Sequence, residues 1–150
     1  MLRRLIIILS LSAVAVPCLA QNCPSVHVLG AIDTPISVER VQNCPDLLNE
    51  VLMRLDDPNE SIYVRSRSIG WLALEGSRQS YDVVANVLRF GSHPVLRRQA
   101  LISLTRVLVR RFPTLVEALI FETLPSLTDP LFRLAIERWW RPALEPNHHR

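Results

Sequence analysis

The sequence contains no lysine, and all 17 of its basic residues are arginine. A coding bias of the source genome explains this absence as well as selection for guanidinium chemistry does, so it assigns no function by itself. Charge is distributed unevenly: residues 21–60 hold seven acidic residues and two arginines, whereas residues 61–150 hold seven acidic residues and thirteen arginines. Because these opposite charges nearly cancel, the composition argues against nucleic acid as a partner.

Long apolar runs are lacking except at the start of the chain. The segment MLRRLIIILSLSAVAVPCLAQNC combines two arginines, an apolar run from Leu5 to Val16, then Pro17, and Ala20 at the expected cleavage position. This pattern predicts a secretory signal peptide over residues 1–20 and a periplasmic or secreted location. The run is shorter than the roughly 20 residues of a membrane-spanning helix, and no later stretch is apolar enough, so no transmembrane segment is expected after cleavage.

Cysteine is scarce. Cys18 follows Pro17 inside the predicted signal peptide, a context that disfavours lipid attachment, so the exported chain keeps Cys23 and Cys44. These two stand in the matching contexts NCPS and NCPD in a compartment that permits oxidation, and we predict that they form a disulfide. Closing the loop would stabilise the fold by roughly 3 kcal/mol and tie residues 21–45 to the first helix. Two unpaired thiols are the alternative, and a metal site is weaker still because two cysteines make half a zinc site.

Motifs that carry catalysis are also absent from the sequence. It has no H-E-x-x-H, no G-x-S-x-G, no Walker loop and no C-x-x-C, and His27 and His93 are isolated. Asp56 and Asp57 are adjacent before a proline, where capping is the simpler role. We therefore expect no catalytic residue, no metal and no cofactor.

The chain changes character after Pro45. Residues 21–45 contain SVHVLG and ISVERV as possible small strands and are interpreted as an irregular or two-stranded lead-in, whereas residues 46–144 contain a series of helical patterns. Apolar residues recur at helical spacing in LLNEVLMRL, YDVVANVLRF and TLVEALIFETL, and the three stripes are in register. Their members are Leu47, Leu48, Val51, Leu52 and Leu55, then Val83, Val84, Val87 and Leu88, then Leu115, Val116, Leu119 and Ile120. In residues 145–150, a frayed tail is the better interpretation of His148 and His149 than a metal site.

Each striped segment is followed by a proline and a second apolar segment. The prolines are Pro58, Pro94 and Pro130, so both intervals are 36 residues. Such a period predicts an array of helical hairpins, in which each hairpin buries its apolar faces against the next. Proline suits the first position of a helix, and Gly76 and Gly91 stand where helices are expected to end.

The openings of the second segments carry a more specific pattern. Each opens with an apolar residue followed by arginine, namely Val64-Arg65, Leu96-Arg97 and Phe132-Arg133, and Asp129-Pro130 precedes the last pair. This pattern resembles the HEAT repeat, including its variant in phycobilisome-lyase-like bacterial proteins, over about 100 residues from Pro45 to about Leu144. The resemblance implies an all-α solenoid of about three hairpins, in which Arg65, Arg97, Arg133 and Asp129 are structural residues that bond between neighbouring repeats. The segment NESI after Pro58 and His93 in place of aspartate depart from the family pattern.

The arginines of the segment SHPVLRRQALISLTRVLVRRFP fall on different sides of its helix. At about 100° per residue, Arg97 lies inside the apolar arc, so an inter-repeat structural role is favoured over anion binding. Gln99, Ser103, Arg106 and Arg110 cluster on the opposite side and are predicted to form a solvent-exposed stripe. Arg111 precedes Pro113, where it can meet exposed carbonyls at the negative end of a helix dipole.

Other arginines are candidates for binding a partner, because the second helices of a solenoid form one continuous face. These candidates are Arg67, Arg98, Arg106, Arg110 and Arg138. A solvated face that keeps the protein soluble explains them equally well. Trp71, Trp139 and Trp140 could mark a recognition surface, but we expect all three in the core.

The sequence therefore predicts an exported, non-catalytic scaffold that presents a helical-repeat face to a protein or peptide of unknown identity. One alternative is a binder of an anionic envelope component, such as a lipid or polysaccharide head group, through the basic second half. The other is an envelope enzyme whose site is not recognised. The salt dependence of binding distinguishes this first alternative from the scaffold. Exposed charge is screened over about 10 Å at 0.1 M salt, so binding that survives high salt would exclude the anionic ligand.

Overall fold

The computed structural model describes residues 35–42, 44, 47–126 and 130–139. Within these ranges the regular structure is all helical, which confirms the predicted all-α class. The helices are α1 (Val38–Gln42), α2 (Leu47–Asp56), α3 (Ile62–Glu75), α4 (Arg78–Phe90), α5 (Pro94–Arg106), α6 (Pro113–Thr123) and α7 (Pro130–Trp139). Short 3₁₀ helices, Leu108–Arg110 and Leu124–Ser126, follow α5 and α6.

The lead-in differs from its prediction where the structure describes it. The segment ISVERV is predicted to form a strand, but Val38–Gln42 is helical, so this prediction is wrong. The helix packs against α3 and buries Val41, which is 1% exposed. Val38 is 44% exposed, so the helix is held against α3 by Val41, and this contact selects a helix over a strand. The segment SVHVLG lies outside the described residues.

The three apolar stripes form the interior, as predicted. Val51, Val84 and Val116, one from each stripe, are fully buried. Leu55, Leu88 and Leu119 are buried with them, while Leu48, Leu52, Val83, Val87 and Leu115 are partly buried against the core. Trp71 is 2% exposed, which confirms its predicted place in the core. The side chains of Trp139 and Trp140 lie outside the described residues.

The prolines do not all begin helices. Pro94 and Pro130 are the first residues of α5 and α7, as predicted, but Pro58 lies in the turn before α3. Ser61 begins α3 instead, because its hydroxyl accepts a hydrogen bond from the Val64 amide at 3.2 Å. The prediction for Pro58 is therefore wrong, and the first interval of 36 residues does not relate equivalent helix positions.

A histidine caps α5 where the family pattern has aspartate. The Nδ1 atom of His93 accepts a hydrogen bond from the Val95 amide at 3.2 Å. A side-chain acceptor at this position satisfies an amide that has no partner inside the helix. Asp129, the aspartate expected before α7, lies outside the described residues.

The helices pack both within hairpins and between successive hairpins. α2 packs against α3, α4 packs against α5, and α5 packs against both α3 and α7. α4 also contacts α3 and α6. α5 is therefore covered on several sides, which explains why Leu101 and Leu104 are both fully buried.

The predicted solvent-exposed stripe of α5 is wrong in part. Arg106 and Arg110 are exposed, but Ser103 is 3% exposed and Gln99 is half-buried. The cause is α3, which covers this side: a Cβ atom at Gly70 would lie 3.7 Å from Gln99 Nε2. A helix that packs on two neighbours buries a second face that periodicity on one helix does not reveal.

The turn between α3 and α4 is held by a residue that follows α5. Gly76 ends α3 with φ +68°, a conformation that favours glycine. Arg111 Nη1 donates hydrogen bonds to the carbonyl oxygens of Glu75 and Gly76 at 3.1 and 3.0 Å. The expected meeting of Arg111 with helix-end carbonyls therefore occurs, and the helix that it caps is α3. Gly91 ends α4, as predicted.

Cys44 lies between α1 and α2 and is 2% exposed. It is disulfide-bonded, and Cys23 lies outside the described residues. Pairing of Cys23 with Cys44 therefore stays a prediction.

Candidate functional site

Arg65 and Arg97 make the same contact in two successive hairpins. Arg65 Nε donates a hydrogen bond to the Leu55 carbonyl at 2.8 Å, and Arg97 Nε donates one to the Leu88 carbonyl at 3.0 Å. The acceptors lie in the last turns of α2 and α4, where carbonyls have no partner inside the helix and the dipole favours a cation. These bonds lie within one hairpin, from its second helix to its first, and join the guanidinium to a carbonyl.

Arg97 also contacts the following hairpin. Its guanidinium carbon lies 5.7 Å from the centroid of the Phe132 ring on α7, a distance at which a cation and a ring attract. Phe132 is 2% exposed. Arg133, at the matching position of α7, is exposed, and bonds from it to a neighbouring repeat stay a prediction.

Two arginines of the candidate set lie on the outer sides of α3 and α5. Arg67 Nη1 donates a hydrogen bond to the Tyr63 hydroxyl at 3.2 Å, and its guanidinium carbon lies 5.7 Å from the Tyr63 ring centroid. Arg98 is half-buried on α5, and its Nε is buried without a hydrogen-bond partner in the described part of the chain. Partly buried arginines beside an aromatic ring resemble the composition of interface centres.

The other candidate arginines are near the end of α5 or on α7. Arg106 is exposed in the last turn of α5, and Arg110 is exposed in the following 3₁₀ helix. Ile102 is partly buried one turn before Arg106. Arg138 belongs to α7, but its side chain lies outside the described residues.

Together these residues define a surface on the second helices of the hairpins. We call Tyr63, Arg67, Arg98, Ile102 and Arg106 the second-helix face. Its α3 part adjoins α5, because the two helices pack together and a Cβ atom at Gly70, one turn beyond Arg67, would lie 3.7 Å from Gln99 Nε2. The structure therefore places three of the five candidate arginines on adjacent helices, with Arg110 just after α5.

A separate, concave surface lies between α2 and α4, at the end where the hairpins turn. It encloses about 460 Å³, and we call it the α2–α4 groove. Its apolar lining consists of Leu52, Leu55, Val83, Val87, Phe90 and Leu96, and its polar lining includes Asp56, Arg65, Asn86 and Ser92. The Phe90 side chain is 78% exposed at the edge of this groove.

Sequence reasoning missed this groove. Leu52, Val83 and Val87 belong to stripes predicted to be buried, yet here they are only partly covered and line an open space. Periodicity shows which face of a helix is apolar and does not show how closely two such faces approach. The available signal was Phe90, an aromatic residue directly before the helix-ending Gly91.

The strongest electrostatic perturbations lie at contacts between helices. Partial burial acts to raise the pKa of Glu75, but hydrogen bonds from Ser80 and Ser77 and the charge of Arg111 outweigh it and lower this pKa. Glu75 Oε2 accepts hydrogen bonds from Ser80 Oγ at 2.5 Å and from the Ser77 amide at 2.9 Å. Ser77 also caps α4 by accepting a hydrogen bond from the Ser80 amide. This carboxylate therefore joins the end of α3 to the start of α4.

A second ionic contact joins α4 to α6. Arg89 donates to both carboxylate oxygens of Glu122, from Nε at 3.0 Å and from Nη2 at 2.7 Å. This two-point hydrogen bond lowers the pKa of Glu122 and raises that of Arg89. Nearby, the Tyr81 hydroxyl donates to the Leu115 carbonyl at 2.9 Å, and burial raises the pKa of Tyr81. These perturbed groups have partners that hold helices together.

Among residues 35–42, 44, 47–126 and 130–139, no group of three or more His, Cys, Asp or Glu side chains could hold a metal ion. No helix in these ranges has the length and apolar content needed to cross a bilayer. His27, His148 and His149 lie outside the described residues.

No family model matches the chain, no curated protein matches it, and no solved structure matches it.

Proposed function

We propose that this protein is an exported, non-catalytic scaffold of stacked HEAT-like hairpins that binds a protein or peptide through its second-helix face. Export is proposed from the signal-peptide pattern of residues 1–20. The residues proposed to contact the partner are Arg67, Arg98, Arg106, Arg110 and Arg138. The observation that carries the binding role is the grouping of half-buried and exposed arginines with Tyr63 and Ile102 on adjacent helices.

The hydrogen bonds between hairpins support a repeat architecture. Tyr81 bonds to Leu115, Arg89 to Glu122, and Arg111 to Glu75, across sequence separations of 34, 33 and 36 residues. In a stack of equivalent units, side-chain bonds between neighbouring units span about one repeat length. In a closed bundle, the first hairpin would also pack against the last. Here the main contacts of α2 are with α3, the other helix of its own hairpin, and not with α6 or α7.

The lead-in is proposed to be tied to the hairpins by a disulfide between Cys23 and Cys44. The burial of Cys44 beside α1 and α2 supports this role. A cross-link at the first hairpin would hold the lead-in over the end of the stack, where a repeat protein otherwise exposes an apolar face.

The arginine pair Arg106 and Arg110 provides the test of the binding role. The chain and its Arg106→Ala/Arg110→Ala variant are used as baits in an envelope extract, and captured proteins are quantified by mass spectrometry. We expect capture of one partner to fall by roughly tenfold, because arginines are often interface hot spots. Unfolding midpoints should agree within about 3 °C, because exposed substitutions have small effects on stability.

A control variant matches the change in net charge. Arg78→Glu also lowers the net charge by two, because it replaces a positive side chain with a negative one, but Arg78 is exposed on α4 and pairs with Asp82, away from the second-helix face. It should leave capture unchanged. Equal capture by the chain and the double variant would contradict the proposal.

The exposed positions of Arg106 and Arg110 also favour a second candidate, an anionic lipid or polysaccharide head group. Binding to vesicles of phosphatidylglycerol that disappears at 1 M salt, together with protein capture that ignores the double variant, would support this candidate. Capture that survives high salt and depends on the arginine pair would support the scaffold.

A further inference from the structure

The α2–α4 groove is the first of two equivalent intervals between first helices. Arg65 bonds to Leu55 in one hairpin as Arg97 bonds to Leu88 in the next, so equivalent positions on α2 and α4 are 33 residues apart. The same step leads from Arg89 on α4 to Glu122 on α6, which are paired. The α4–α6 interval therefore shows how the first helices of two hairpins can be joined, and the α2–α4 interval can be compared with it.

The second interval, between α4 and α6, is closed by side chains. Arg89 pairs with Glu122 and Tyr81 bonds to the Leu115 carbonyl. The Tyr81 and Phe112 rings also pack with centroids 5.3 Å apart. Between α2 and α4, in contrast, no side-chain hydrogen bond or ion pair joins residues that the structure describes. This difference leaves the groove open.

One carboxylate in the groove lacks the partner that the repeat provides elsewhere. Asp56 on α2 is opposite to Arg89 in the repeat alignment, but Arg89 is engaged by Glu122 on its other side. Asp56 is exposed, lines the groove, and forms no ion pair with a described residue. A cation from outside the chain can therefore occupy the place that a guanidinium takes in the second interval.

The remaining lining is part apolar and part polar, and the one cation among its described residues, Arg65, donates a hydrogen bond to the Leu55 carbonyl. Leu52, Val83 and Val87 form the walls, and Phe90 stands exposed at the rim. A groove of about 460 Å³ is within the usual range of roughly 300–1,000 Å³ for ligand sites. Asn86 and Ser92 supply polar groups in the lining that can bond to a peptide main chain.

We propose that the α2–α4 groove binds an extended peptide segment in which an aliphatic side chain enters the groove and an adjacent arginine or lysine pairs with Asp56. The apolar walls take the aliphatic group, and the open carboxylate takes the cation. This site is separate from the second-helix face. It names a class of peptide that the scaffold recognises, and either surface can fail without the other.

The test uses the full chain labelled with ¹⁵N and three synthetic heptapeptides, with amide shifts recorded by NMR. The probes are Gly-Ser-Leu-Arg-Leu-Gly-Ser, its relative with glutamate in place of arginine, and its relative with serine in place of both leucines. We expect shifts at groove residues with the first peptide, about three- to fivefold weaker binding of the glutamate peptide, and no binding of the serine peptide.

Variants assign the effect to the groove. Asp56→Arg should reverse the preference, so that the glutamate peptide binds more tightly than the arginine peptide. Asn86→Trp should fill the groove and abolish binding of both, with an unchanged circular dichroism spectrum as the check on folding. Asp82→Asn is the matched control, because Asp82 is an exposed acid of α4 that pairs with Arg78 and does not line the groove. Arg106→Ala/Arg110→Ala should also leave peptide binding unchanged.

Three results would overturn the proposal. They are equal binding of the arginine and glutamate peptides, an unchanged preference in Asp56→Arg, and shifts that map outside the groove. Dodecanoate provides the further arm: if it shifts groove residues near Arg65 while the peptides do not, the groove binds an anionic amphiphile and the peptide assignment is wrong.

Discussion

At the scale of single residues, Gly76 and Gly70 are expected to respond in opposite ways to alanine. Gly76 ends α3 at φ +68°, a conformation that costs an L-residue about 1–2 kcal/mol. Gly70 lies inside α3, where an added Cβ would make an ordinary 3.7 Å contact with Gln99. Gly76→Ala should therefore destabilise the protein by about 1–2 kcal/mol, and Gly70→Ala should stabilise it by about 0.5–1 kcal/mol. Urea unfolding measures both, and a shift in the same direction would contradict this account.

Glu75 gives the protein a pH dependence at the α3–α4 turn. Because its folded pKa is lowered, its ionised form adds stability that is present above the ordinary glutamate pKa and lost as pH falls through the lowered value. The chain should therefore be more stable than Glu75→Gln at pH 7, and the difference should shrink as pH falls below about 4.5. Chemical unfolding between pH 3 and pH 7 measures the difference. Glu117→Gln is the control, and a difference that does not depend on pH would exclude linkage through Glu75.

At the scale of elements, the arginine–carbonyl bond fixes how the two helices of a hairpin meet. Arg97→Met keeps most of the aliphatic stem but removes the donor to Leu88 and the charge over Phe132. We expect a loss of about 1.5 kcal/mol, since hydrogen bonds from charged groups exceed the average. Arg110→Met, at an exposed arginine, should change stability by less than about 0.5 kcal/mol. Urea unfolding compares them, and equal losses would show that the bond contributes no more than general charge.

The arginines show how far an element can be inferred from sequence. The helical position of Arg97 inside an apolar arc correctly placed it away from full exposure. Its acceptor was not predictable, because the Leu88 carbonyl becomes a neighbour only when the turn between α4 and α5 closes. The prediction for Ser103 was wrong for a related reason: its position opposite the apolar arc indicated solvent, but α3 covers that side of α5. The periodicity of apolar residues identifies one buried face of a helix, whereas the helices packed around it determine which other faces are buried.

At the scale of the whole molecule, the proposed disulfide joins the lead-in to the hairpins. Cys44→Ser should lower the free energy of unfolding by about 3 kcal/mol if the loop runs to Cys23. A peptide map under non-reducing conditions should contain a Cys23–Cys44 cross-link, and denaturant unfolding with and without dithiothreitol should show the same loss. A cross-link from Cys44 to Cys18 would contradict both the pairing and cleavage after Ala20.

The difference between the α2–α4 and α4–α6 intervals also belongs to the scale of the whole molecule. The sequence shows three similar stripes, and nothing in them distinguishes the α2–α4 interval from the α4–α6 interval. The structure distinguishes them because Arg89 pairs with Glu122 on α6, whereas no ion pair joins described residues of α2 and α4. The groove beside Asp56 lies in the interval without such a pair.

The sequence by itself determined that the chain is helical after residue 46, which faces are apolar, and where α4, α5, α6 and α7 lie, because helix period and breaking residues act over a few neighbouring positions. The structure adds that Pro58 stands in a turn, for a reason that is still local: Ser61 caps α3 three residues later. Only the tertiary structure decided that Val38–Gln42 of the lead-in is a helix and that α2 and α4 remain apart. These two outcomes depend on contacts between segments distant in the chain, whose geometry no local pattern encodes.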